Sequence, residues 1–139
     1  MDYRKFNNKY VIRFEKGEEV IKSLKELCRK ENIKLAEITG IGASDSVEIG
    51  VFNVNTKEYS TKKFEGMFEI TSLIGNVTTK EGEVYLHIHI NFGDENGTVR
   101  GGHLVETRIS ATCEMILSVI DGTVERKLDE NIGLNLFKF

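Results

Sequence analysis

The stretch Val84-Tyr85-Leu86-His87-Ile88-His89-Ile90-Asn91 alternates apolar and polar side chains without a break. Successive strand residues point to opposite faces, so Val84, Leu86, Ile88 and Ile90 share one face and Tyr85, His87, His89 and Asn91 the other. The stretch therefore predicts a half-buried strand, the best-defined one in the chain. Working outward, the same logic gives a strand at Phe68–Ile74, with Phe68, Ile70, Ser72 and Ile74 on one face against Glu69, Thr71 and Leu73. Val47–Asn53 and Lys57–Phe64 read as a hairpin joined around Val54-Asn55-Thr56. Tyr10–Phe14, Lys34–Ile41, the long apolar Ala111–Ile120 and a short closing Leu134–Phe137 complete the strands. Turns fall at Thr79–Glu83, Gly93–Gly97 and Asp121–Thr123, and Gly40-Ile41-Gly42 predicts a bend or a close backbone approach.

One segment has a different period. Val20, Ile21, Leu24, Leu27 and Cys28 recur at helical spacing, while Lys22, Lys25, Arg29 and Lys30 lie largely off that stripe. This predicts a long amphipathic helix over residues 17–31, with Glu18 and Glu19 at its start and cations at its end, as the macrodipole favours. The expected fold class is α+β: mainly antiparallel sheet, this one long helix and short flanking helices.

The 139 residues suit a single domain spanning 1–139, and no Pro-rich or Ser-rich linker divides them. A formal charge of −3 argues against a protein that coats DNA with a basic field. No apolar run is long enough for a membrane helix, and the N-terminus lacks a signal-peptide core, so a cytoplasmic location is expected and no membrane partner. Cys28 and Cys113, far apart in sequence, read as buried free thiols. There is no P-loop, no paired Cys-x-x-Cys and no nucleophile elbow.

The chemistry concentrates in the only histidines, His87, His89 and His103. Same-face strand neighbours lie about 6.6 Å apart, close enough for His87 and His89 to converge on one ion at about 2.0–2.1 Å. Gly101-Gly102 lets the segment carrying His103 approach closely. A His-x-His pair in a strand also reads simply as two half-exposed side chains. If they do bind, three imidazoles with no fourth protein ligand leave an open position, as in catalytic zinc sites. Zinc is the first choice, though imidazole also suits nickel, cobalt and copper. Glu69, Asp94 and Glu106 are the carboxylates available to orient an imidazole, and Glu69 or Glu106 the candidate base for bound water.

Taken in order, Arg13-Phe14-Glu15-Lys16-Gly17-Glu18-Glu19, Gly40-Ile41-Gly42-Ala43, Gly66 to Asn76, Leu86-His87-Ile88-His89 and Gly97-Thr98-Val99-Arg100-Gly101-Gly102-His103-Leu104 resemble the plants-and-prokaryotes conserved (PPC) domain, in its stand-alone prokaryotic form. In plants that domain is known from AT-hook nuclear proteins. The resemblance covers nearly the whole chain. It implies a mainly antiparallel sheet assembled as a homotrimer, and it nominates His87, His89 and His103 as metal ligands near a subunit interface. The AT-hook, an Arg-Gly-Arg-Pro core that enters the minor groove, is absent: the chain has no proline, and its one Arg-Gly is Arg100-Gly101. Gly66 is followed by Met67 where the plant partner-binding motif has Arg.

Three functions follow as alternatives. The first is a homotrimeric domain binding a divalent metal, with a regulatory or DNA-associated role. The second is a metal-dependent, hydrolase-like enzyme using metal-bound water. The third is direct DNA binding by a patch on the trimer surface. Which small-molecule ligand, if any, the chain takes is not given by the sequence.

Overall fold

In the computed structural model, which describes residues 1–139, the chain runs β1 (Asp2–Phe6), β2 (Lys9–Glu15), α1 (Val20–Lys30), β3 (Ala36–Asn53), β4 (Glu58–Lys80), β5 (Glu83–Gly93), β6 (Val99–Val119), β7 (Glu125–Asp129) and β8 (Leu134–Lys138). The sheet order is β1-β2-β6-β3-β4-β7-β8, and β5 bridges β4 and β6. Since β3 pairs with both β4 and β6, the four long strands β3, β4, β5 and β6 close a ring. Closure leaves these strands fewer free edges to satisfy. All pairings are antiparallel except the single β4–β7 contact at Thr79 and Glu125.

The expected α+β class, with a long helix and short flanking helices, is corrected to a mostly β fold with one short helix. The helix loses its first turn because residues 17–19 have other partners. The Gly17 amide donates to the Ile109 carbonyl and the Ile109 amide to that of Glu18, while Glu19 bridges to Arg108. Glu19 then acts as the N-cap, its carboxylate accepting from the Ile21 and Lys22 amides at 2.8 and 2.6 Å. No flanking helices form, because the stretches read as separate short strands join into runs of up to 23 residues.

Those runs stay continuous by bulging. Register shifts occur at Gly40/Gly42, Ser44/Ser46 and Ile70/Ser72. The last one inverts the alternation expected for Phe68–Ile74: Phe68 and Ile70 are buried, but beyond the bulge Leu73 is buried and Ile74 faces outward. At Gly42 an added Cβ would stand 2.6 Å from the Cys113 Cα, so the close approach expected of the Gly-Ile-Gly run is realised there. At Ser44 the hydroxyl fills the bulge, contacting Thr107 Oγ1 at 2.9 Å and the Arg108 carbonyl at 2.8 Å.

Val20, Leu24, Leu27 and Cys28 of α1 pack on the inner sheet face with Tyr10, Ile12, Phe14, Ile38, Leu73, Ile88, Ile90 and Leu117, all essentially inaccessible. This layer fixes the facing of β5: Ile88 and Ile90 point inward, so His87 and His89 must point outward. No helix is long and apolar enough to cross a membrane.

Candidate metal centre

The three histidines come together on the outer face where the ring closes. His89 is the Cα partner of His103 across β5 and β6. His103 is also paired with Gly50 of β3, so β6 is held on both sides at that residue. The ring centroids lie 5.2 Å apart for His87–His89, 5.3 Å for His87–His103 and 5.6 Å for His89–His103. One ring nitrogen from each lies within 4.8 Å of the others, so the trio could hold a metal ion. Two ligands about 2.0–2.1 Å from a common ion stand about 3.4 Å apart in tetrahedral geometry, so the imidazoles would draw closer together around an ion.

The approach of β6 depends on Gly101, the partner of Asn91: an added Cβ there would meet the Ile90 carbonyl oxygen at 2.7 Å. Gly50 serves a neighbouring role. Its bare backbone is covered by the Tyr59 phenol, whose ring meets His103 edge-on at 6.1 Å. Burial raises the Tyr59 pKa, with the nearby Glu48 and Tyr85 adding to it.

His87 and His103 are half-buried and His89 is exposed. Burial, followed by the Arg126 charge and the other two imidazoles, pulls the His87 pKa down to about 4. Burial and then His89 lower that of His103 as well. Both therefore favour the neutral form that a metal requires.

No carboxylate joins the trio. Asp94 is committed to its own turn, accepting from the Asn96 and Thr98 amides and pairing with Arg100 at 2.9 Å. Glu69 is exposed and pairs with Gly93, four residues along β5 from His89. Glu106 is exposed and pairs with Glu48, across a register shift from His103.

Sequence reasoning missed the surrounding shell. Asn76, the β4 partner of His87, accepts from Arg126 Nη2 at 2.9 Å. Arg126 also donates through Nε to Thr78 Oγ1 and through Nη1 to the Asn135 carbonyl, both at 2.8 Å. Its guanidinium lies over both the Tyr85 and the Phe137 ring, 4.7 and 4.5 Å from their centroids. No local pattern around Arg126 signals this, since its partners come from β4, β5 and β8.

Residues 1–121 match the family model of the Plants and Prokaryotes Conserved domain. The chain belongs to this family.

Solved structures of similar chains include a candidate DNA-binding protein from Bacteroides thetaiotaomicron, 31% identical with a TM-score of 0.97, the match covering 99% of this chain and 96% of that one. A plant- and prokaryote-conserved protein from Pyrococcus horikoshii is 36% identical with a TM-score of 0.87, over 99% and 94% of the two chains. A metal-containing protein from Archaeoglobus fulgidus is 31% identical with a TM-score of 0.88, over 100% and 99%. No curated protein matches the sequence. The family match ends before β7, so the hairpin carrying Arg126 lies beyond the matched part of this PPC chain.

Proposed function

We propose that this PPC-domain chain is a homotrimeric, divalent-metal-binding protein with a regulatory, DNA-associated role, and that zinc is its ion, held by His87, His89 and His103. The observation that carries the reading is the convergence of three imidazoles within 4.8 Å on the paired strands β5 and β6. The all-imidazole set suits zinc and leaves one coordination position open. The similar archaeal chain named as metal-containing supports it.

The trimer is supported by an uncovered apolar face. Phe6, Val11, Ile41 and Ile74 are all about half exposed and line one open concavity of about 1110 Å³. Such a patch on a monomer marks an interaction surface. Ile74 is the Cα partner of His89, so this face adjoins the metal ligands. The DNA-associated role draws on the similar chain named a candidate DNA-binding protein. With no AT-hook and a charge of −3, contact with DNA would fall to basic side chains gathered by assembly, such as the exposed Lys22, Arg29 and Lys30 of α1. The hydrolase alternative has no carboxylate base within the histidine group.

The test is elemental analysis of protein purified without a nickel column. About one zinc per chain is expected, lost in the His87→Ala, His89→Ala double variant. Substoichiometric metal in the wild type, with no uptake on adding zinc, sinks the reading.

A further inference from the structure

The β7–β8 hairpin brings one cation to the histidine face and no anion with it. Arg126 is 7% exposed and belongs to none of the chain's ion pairs. Its partners are a hydroxyl, an amide oxygen and a backbone carbonyl, all neutral. A guanidinium has five N–H donors; three are used here, leaving one on each terminal nitrogen. Beside it, Asn135 Oδ1 is buried with no partner at all. A buried charge normally has a counter-charge, because solvation lost in a low dielectric must be replaced.

The metal centre sharpens the imbalance. Three neutral imidazoles do not offset a divalent ion, and no carboxylate stands among them. Asn76 links the two cationic groups, pairing by its backbone with His87 and by its side chain with Arg126. The loaded site would thus carry a divalent cation with an open position, and a buried guanidinium bonded to Asn76, the cross-strand partner of His87.

We infer that the open side of the His87–His89–His103 centre takes a small carboxylate-type anion, whose charge Arg126 balances from the β7 side. Guanidinium is suited to this because its N–H groups match the two oxygens of a carboxylate, and charge-assisted bonds of this kind exceed neutral ones in strength. The Tyr85 and Phe137 ring centroids both lie within 4.7 Å of the guanidinium carbon, so the N–H groups left over are what it has to offer an anion. The inference rests on the proposed metal centre.

Cobalt(II)-loaded protein separates the two ideas. Cobalt uptake, read from metal content and from visible absorption lost in the His87→Ala, His89→Ala double variant, reports the centre itself. Acetate, and separately its neutral analogue acetamide, are then titrated while the cobalt spectrum is followed. Acetate is expected to change the spectrum saturably and acetamide to leave it unchanged. In Arg126→Met, acetate should bind about tenfold more weakly or worse while cobalt content holds. Because Arg126 is buried, Arg126→Lys is made as well. It keeps the charge but not the fork, and should fall between the other two. Paramagnetic broadening of acetate and acetamide NMR signals gives a second reading on the wild type alone. A chain that takes no cobalt overturns the metal centre and this inference with it. A chain that takes cobalt but binds acetate no better than acetamide, or equally with and without Arg126, overturns this inference alone.

Discussion

His89 and His103 are direct cross-strand partners, and His103 is simultaneously paired with Gly50. The third imidazole is therefore held by two ladders, while His87 joins from the same strand as His89. A site built on strands holds its ligands more tightly in place than one built on loops.

Removing one imidazole should be severe. His103→Ala is expected to lower zinc affinity by more than the 10–100-fold typical of losing an outer partner, measured by chelator competition. Zinc at a hundredfold excess over its Kd should stabilise the wild type by about 2.7 kcal/mol, seen as a higher Tm. A variant that binds zinc as the wild type does would exclude His103 from the ligand set.

Gly101→Ala tests how β6 reaches β5. The methyl would press on the Ile90 carbonyl, a backbone atom that cannot rotate away. A loss of about 1–3 kcal/mol is expected, read from urea denaturation, together with weaker zinc binding because His103 lies two residues on.

Assembly should depend on the apolar face. An Ile41→Asp, Ile74→Asp double variant is expected to run as a folded monomer by light scattering, with the wild type a trimer. A monomeric wild type refutes the assembly.

The Glu31 carboxylate accepts from the Tyr3 and Tyr10 hydroxyls at 2.8 and 3.0 Å, which holds its pKa below the usual range. Its contribution to stability is complete above the unfolded value of about 4.3 and is lost as pH falls through the lower folded value. Glu31→Gln should therefore flatten the acid limb of a stability–pH curve. Parallel curves for variant and wild type would count against this.

Cys28 and Cys113 are fully buried, and burial pushes both thiols up to about 12. Neither should react with a thiol reagent at neutral pH until the protein unfolds, when two should titrate. Reaction of the native protein at the unfolding-independent rate of a free thiol contradicts the burial.

The strand pattern made part of this legible. Alternation in Val84–Asn91 is strict, and it placed His87 and His89 on one outer face. The double glycine before His103 pointed to its close approach. What escaped the sequence depends on distant partners. Residues 17–19 look helical by composition but bond to Ile109 and Arg108, ninety residues on. The bulge at Ile70/Ser72 inverts a local alternation that carries no mark of it. Arg126 looks like an ordinary surface cation until Asn76, Thr78, Tyr85 and Phe137 surround it.

The hairpin β7–β8 begins after residue 121, where the family match stops. The proposed ligands His87, His89 and His103 and the cation Arg126 thus lie in separate stretches of the chain. On the proposed reading, a substitution at Arg126 would change what the open position meets while leaving the three imidazoles in place.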